Sequence, residues 1–345
     1  MINHFSRKVI SGVILATLPI AAGLLALWLG QDNSWDLRNY HYYNPFAFLT
    51  GRMDYDIAVA HVATYYNPLL HLPFYLIVNA LPPKLIGFIL GALQGCNFFL
   101  LYAIGRRMMA KPEMTLHTWA PPAAALLGLM GAAGIAEIGT SFGDNVVSLP
   151  VLGALWLIVR MDRRSAMGKP GWSVAVLAGL LAGGAFGLKL PFAVYAVGLC
   201  VAFFGLGLPW KQGFVLAFLF GLGVLAGIAL TSGFWMIELW ARFKNPVFPY
   251  FNQYFESPWV ASEAYRDERF IPRSPIMAFL FPLWIVFNPM QVSEVPFRDL
   301  RLAVLFLLLI AWLVKRSVLI MAPTASITET KDNQPLALRR FLIFS

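Results

Sequence analysis

Long stretches of unbroken apolar sequence recur along this chain, and they constrain its fold more than any other feature. The first runs from Val9 to Gly30; others lie near residues 84 to 105, 119 to 136, 146 to 159, 172 to 188, 191 to 208, 214 to 233 and 302 to 320. Crossing a bilayer takes roughly 17 to 25 apolar residues, and they must be helical because hydrocarbon offers the backbone no hydrogen-bond partner. Two further runs, 68 to 81 and 276 to 289, are short or interrupted by Pro73, Pro282 and Pro289, which suits re-entrant or interfacial helices. The expected fold is all-α: a polytopic integral membrane protein with about 9–10 membrane segments, forming a single transmembrane helical domain over residues 1–345.

Composition agrees, since a chain that is 59% hydrophobic and 12% charged, with mean hydropathy +0.67, is no ordinary water-soluble domain. The formal charge of +9 does not imply a nucleic-acid partner. Its cations flank apolar runs, at Arg106, Arg107 and Lys111 and again at Arg160, Arg163, Arg164 and Lys169, which the positive-inside rule explains. Cys96 and Cys200 fall inside apolar runs and read as small hydrophobes. The first run follows Arg7 and Lys8, is too long for a signal peptide and lacks a small-x-small cleavage site, so it reads as a retained anchor. At the other end, "LALRRFLIFS" resembles the start of a further membrane helix, so the sequence is expected to be incomplete there.

With the basic loops inside, two long polar loops, 31–66 and 234–275, are expected outside; the topology between residues 67 and 106 stays open. Both loops are rich in aromatics, and the second is rich in proline as well. In "NPFAFLTG" the pattern predicts a short surface helix with Asn44 as N-cap, Pro45 at the first helical position and Gly51 just past the end. "NPLL" at Asn67 repeats the starting signal.

The residues able to do chemistry gather near these loops. Asp36 stands just beyond the first run beside Arg38, Tyr40 and His41, and a carboxylate there can accept a proton or cap a surface helix. Trp35, Tyr42, Tyr43, Tyr65 and Tyr66 add flat surfaces suited to sugar rings or lipid headgroups. "AEIGTSFGDNVV" sets Glu137 and Asp144 around a glycine-containing turn, with Asp144 either a second acid or a helix cap. Lys189 occupies a short break between apolar runs, where an ammonium snorkels or binds an anion such as a phosphate. Arg266, Arg269 and Arg273 close the second loop and suit either phosphate or ion pairs with Asp267 and Glu268. His41, His61 and His71 lack the spacing of a helical zinc site, so no metal site is expected, and a divalent cation is left open. No phosphate-binding loop, dinucleotide fingerprint or nucleophile elbow is present in the sequence.

Taken in order, "WDLRNYHYYNPFAFLTG" and then "YYNPLLHLPFYLI" resemble the multi-spanning glycosyltransferases of the C superfamily (GT-C), although Asn67 stands where proline is commoner. "AEIGTSFGDNVV", "GLKLPFAVY" and "RFKNPVFPYFN" resemble a bacterial subgroup near glycosyltransferase family 87. The resemblance implies a large first external loop carrying short surface helices. It also implies inverting transfer of a sugar from a polyprenyl-phosphate donor to a glycan or lipid acceptor of the envelope, at the outer face of a bacterial inner membrane and with no cofactor. Asp36 would then act as base or acceptor-orienting group, Asp144 or Glu137 would assist, and Arg38, Tyr40 and His41 would contact substrate. Lys189 and an arginine among Arg266, Arg269 and Arg273 would stabilise the departing phosphate. The competing class is a transporter or flippase for a lipid-linked or anionic substrate, against which stands the absence of an internal repeat.

Overall fold

The computed structural model describes residues 4–109, 119–265, 268–291 and 296–321. Its helices are, in order, α1 His4–Leu29, α2 Tyr43–Thr50, α3 Leu72–Val78, α4 Pro83–Met108, α5 Ala120–Leu129, α6 Ala132–Ala136, α7 Asp144–Arg160 and α8 Arg163–Ala166. They continue with α9 Lys169–Leu188, α10 Ala193–Ala202, α11 Trp210–Phe243, α12 Asn252–Phe255, α13 Pro275–Phe279, α14 Phe281–Phe287 and α15 Arg301–Met321. Among the described residues the one extended segment is β1, Val59–Val62. The fold is thus helical, as expected.

Among the described residues three helices, α4, α9 and α11, are long and apolar enough to cross a membrane. That makes the chain a membrane protein by length and composition. Other apolar runs break up for local reasons. The run at 119 to 136 divides into α5 and α6, that at 191 to 208 ends in a 3-10 turn, Phe203–Gly205, and that at 276 to 289 restarts at Phe281 as α14, with Pro282 in its first turn. The run at 68 to 81 yields the seven-residue α3, far short of a span.

The chain separates into two compact units. The first comprises the described residues up to Leu129 together with Glu137–Tyr265. Its tightest seam joins α9 to α11, where glycines let the backbones touch. A Cβ built on Gly183 would lie 2.1 Å from the Val224 carbonyl, and one on Gly223 would lie 2.2 Å from the Val176 carbonyl. Gly91 of α4 meets α1 just as closely, 2.6 Å from the Ala22 carbonyl. Between α4 and α7 the glue is polar: buried Asn97 donates to the Asn145 carbonyl at 2.7 Å and accepts from Ser148 at 2.9 Å. These contacts hold the ends of α1, α7 and α9 in fixed positions under the first loop.

In that loop the helix over "NPFAFLT" forms and ends at Gly51 in the left-handed region (φ 67°), but Asn44 is not its cap. The helix begins at Tyr43, two residues before the expected Pro45, and buried Asn44 instead donates to the carbonyls of Ala63 and Tyr66, at 2.9 and 3.3 Å. Tying the loop to itself outweighs capping one turn. Asn67 does cap: its Oδ1 accepts from Leu69 N–H at 3.0 Å while its Nδ2 donates to the carbonyls of Gly187 and Thr231, both at 2.9 Å. One asparagine thereby fastens the loop to α9 and α11.

The second loop starts later than expected, because α11 continues ten residues past 233 to Phe243. Trp235, Leu239 and Phe243 recur every four residues and bury one face against Phe248, so the helix still has a reason to continue. Lys244, at φ 56°, ends it. Beyond it, two buried asparagines organise the loop: Asn245 donates to the Tyr250 carbonyl at 3.0 Å, and Asn252 donates to those of Ser257, Val260 and Ala261. The second unit comprises residues 130–136 and the described residues from Glu268 onward. There α14 packs on α15, and Asp299 accepts from the Ala132 N–H at 3.1 Å and the Arg301 guanidinium at 2.6 Å.

Candidate functional site

After α1 the chain makes one turn of π-helix, Leu37–His41, a form enriched at functional sites. Asp32 starts the approach by accepting from the Ser34 N–H at 2.9 Å, and the Ser34 hydroxyl in turn accepts from the Leu37 N–H at 3.2 Å. Asp36 lies immediately ahead of the π turn. The Tyr40 phenol, four residues on, donates to its carboxylate.

Behind Tyr40 lies a buried polar chain. The His41 Nδ1 is 2.8 Å from Ser141 Oγ, and Asp32 Oδ2 accepts from both the Ser141 hydroxyl (2.7 Å) and its N–H (2.9 Å). A serine hydroxyl carries one hydrogen, and Asp32 receives it. Ser141 must therefore accept from His41, which places the imidazole proton on Nδ1. His41 stacks on His71 with ring centroids 3.9 Å apart, and the Tyr40 ring meets both edge-on.

Across from Asp36, the Lys189 ammonium forms an ion pair with Asp144 and donates to the Phe142 carbonyl at 3.2 Å. The break after α9 is therefore as expected. Asp144 is not a helix cap: Gly143, at φ 83°, takes that position, and Asp144 is the first helical residue of α7. The aromatic wall is completed by Tyr66, whose ring meets Tyr40 edge-on at 5.5 Å and stacks on Tyr250 from the second loop. The Tyr250 and Tyr66 hydroxyls lie 3.1 Å apart.

The electrostatics divide this cluster into distinct roles. Burial raises the Asp36 pKa, and although the Tyr40 hydrogen bond and the Lys189 charge oppose it, the net position stays above the usual carboxylate range. Burial also pushes Asp32 up, but four hydrogen bonds, from the N–H and hydroxyl groups of Ser141 and Ser34, outweigh it and leave Asp32 lowered. Burial, reinforced by Lys189, pushes His41 down to about 3, and His71 is lowered for the same reasons with His41 adding to them. The Tyr40 phenol is raised by burial and by the Asp36 charge. Burial thus keeps both imidazoles neutral at neutral pH.

Of the residues marked from sequence, Asp36, Tyr40, His41, Asp144 and Lys189 come together. Glu137 opens the preceding turn, with its carbonyl accepting from the Thr140 N–H at 3.2 Å. Arg38 is exposed and donates to the Asn33 side chain. Arg269 and Arg273 belong to the second unit, where Arg273 is exposed, and Arg266 lies outside the described residues. Asp54 pairs with Arg242 at 2.8 Å, and Asp56 with Arg52 at 2.8 Å. Asp32, Ser141, His71 and Tyr250 were not legible as members of the cluster. Among the described residues no three His, Cys, Asp or Glu side chains gather as a metal-binding group.

The chain matches no family model, no curated protein and no solved structure. What fold and cluster define is a class: a helical membrane protein with a carboxylate–tyrosine pair, a lysine–aspartate pair and an aromatic wall beyond the end of its first helix.

Proposed function

We propose that the chain is a membrane glycosyltransferase of the GT-C kind, moving a sugar with inversion from a polyprenyl-phosphate donor to an acceptor hydroxyl at the outer face of a bacterial inner membrane. The observation that carries this reading is the half-buried Asp36, held by the Tyr40 phenol within the field of Lys189. A base needs a pKa nearer the working pH than a solvated carboxylate has, and burial moves Asp36 in that direction. In the step, the acceptor oxygen bonds to the anomeric carbon and passes its proton to Asp36. The bond from that carbon to the lipid phosphate breaks, and the electron pair leaves with the phosphate. Lys189, held by Asp144 and the Phe142 carbonyl, supplies positive charge where negative charge develops. Tyr66 and Tyr250 offer hydroxyls and ring faces to the sugar.

The test is incubation of the purified protein in nanodiscs with a panel of radiolabelled polyprenyl-phosphate sugars, wild type against Asp36→Asn. Transfer by wild type, reduced at least about a hundredfold in Asp36→Asn with retained folding, is the expected result. Transfer by both at one rate removes Asp36 from the mechanism. No transfer from any donor, with uptake of a lipid-linked sugar into vesicles, replaces this reading with the transporter class.

A further inference from the structure

A cavity of about 280 Å³ lies beside this cluster, between the end of α1, α3 and the start of α4. Its walls change character along their length. Toward the helix ends they carry Gln31, Asp32, Tyr42, Lys84 and Ser141; deeper, they are Ala26, Leu27, Phe74, Ile86 and Leu90. Leu90 lies six residues beyond Lys84 on α4, about 9 Å along a helix of membrane-spanning length. The cavity therefore has a polar mouth and an apolar floor aligned with a spanning helix.

Its two charges are not equivalent. Asp32 is already hydrogen-bonded on both oxygens, by the Ser34 N–H and by the Ser141 N–H and hydroxyl. Lys84 is exposed and, among the described residues, meets no carboxylate within ion-pair distance. The unmet charge at the mouth is positive. We infer that this cavity binds a membrane phospholipid with an anionic headgroup, whose phosphate meets Lys84 and whose upper methylenes lie against Leu27, Phe74, Ile86 and Leu90. The lining contains neither Asp36, Tyr40, Asp144 nor Lys189, so a phosphate seated at Lys84 is not the one that reacts under the proposed function.

The test uses the full chain in phosphatidylcholine nanodiscs, titrated with phosphatidylglycerol. Bound lipid is counted by native mass spectrometry. One phosphatidylglycerol should be retained per chain, and Lys84→Ala should weaken retention about fivefold while Lys84→Arg keeps it. Gly87 lines the cavity, and a Cβ there meets nothing nearer than Leu27 at 4.0 Å, so Gly87→Leu should fill the space and displace the lipid while Gly87→Ala does not. Retention of phosphatidylglycerol no better than of phosphatidylcholine would overturn the inference, as would wild-type retention by Lys84→Ala. Displacement by stoichiometric polyprenyl phosphate would overturn it too, by giving the cavity to the substrate. None of these readouts requires sugar transfer, so their failure and that of the proposed function are distinguishable.

Discussion

Lys189, at the end of α9, closes an ion pair with Asp144, the first residue of α7, and so joins two helix ends 45 residues apart beside Asp36. Both side chains are about one-third exposed, so the pair itself contributes little to stability, about 0.2 to 1 kcal/mol. Its larger effect is to keep the ammonium in place. Asp144→Asn should lower the thermal midpoint only slightly yet reduce turnover by about tenfold or more, and Lys189→Met should reduce it at least as far. A double-mutant cycle on turnover should show strong coupling between the two. Additive effects would mean that Asp144 acts independently of Lys189.

The buried histidines set an acid limb of stability. In the unfolded chain each titrates near 6.5, whereas His41 is held down to about 3 and His71 is also lowered. Between those values the unfolded state binds more protons, so stability falls as pH falls through that window. From pH 6.5 to 5 the loss from His41 should be about 2 kcal/mol, and His71 adds to it in the same direction. Asp36 opposes it, because a raised carboxylate pKa favours the folded state as pH falls. Thermal midpoints in detergent across pH 5 to 7 should fall toward acid, and His41→Gln should flatten the slope. A slope unchanged in both His41→Gln and His71→Gln would remove the histidines as its cause.

Ser141 links Asp32 to His41, and removing its hydroxyl leaves the Nδ1–H of a buried ring without its acceptor. Ser141→Ala should therefore destabilise the protein by about 1 to 3 kcal/mol. Nitrogen chemical shifts of a labelled histidine should show His41 in the Nδ1–H form in the wild type and a mixture in the variant. A wild-type protein carrying the proton on Nε2 would refute the hydrogen-bond assignment.

Two glycines of α11, two positions apart, should respond in opposite ways. A Cβ at Gly223 falls 2.2 Å from the Val176 carbonyl, a backbone atom that cannot move aside, whereas a Cβ at Gly221 meets nothing within 4 Å. Gly223→Ala should cost about 1 to 3 kcal/mol by forcing α9 and α11 apart, and Gly221→Ala should be neutral or gain up to about 1 kcal/mol from helix propensity. Equal thermal midpoints for the two variants would contradict the close approach.

How much of this was legible before the fold depended on distance along the chain. Local signals read well: Gly51 ends α2, Asn67 starts its turn, and Lys189 stands in a break. Asn44 misled because its Nδ2 bonds residues 19 and 22 positions away, a demand that capping statistics do not contain. The end of α11 was placed too early because hydropathy falls at 233, while the face carrying Trp235, Leu239 and Phe243 stays apolar. Both Asp144 and Lys189 stood out by type, but their pairing arises only when α7 packs on α9. Asp32 and Ser141 looked like ordinary loop residues, and 109 positions separate them. The arginines went the other way: conspicuous by type, Arg269 and Arg273 lie in the second unit.

The pH dependence of turnover tests the environment of Asp36 itself. If Asp36 is the base, kcat/KM falls as it takes up a proton, and the acid limb lies above the range of a solvated carboxylate, about 4, because burial raises the group. The Tyr40 hydrogen bond and the Lys189 charge both favour the ionised form. Removing either must raise the Asp36 pKa further. Tyr40→Phe and Lys189→Met should therefore each move the acid limb to higher pH, with part of the lost rate recovered at alkaline pH in Tyr40→Phe. A purely structural role for Tyr40 would lower the rate at every pH by one factor and leave the limb where it was. An acid limb that stays put in both variants, or moves to lower pH, would assign it to another group and leave Asp36 as an orienting carboxylate rather than the base.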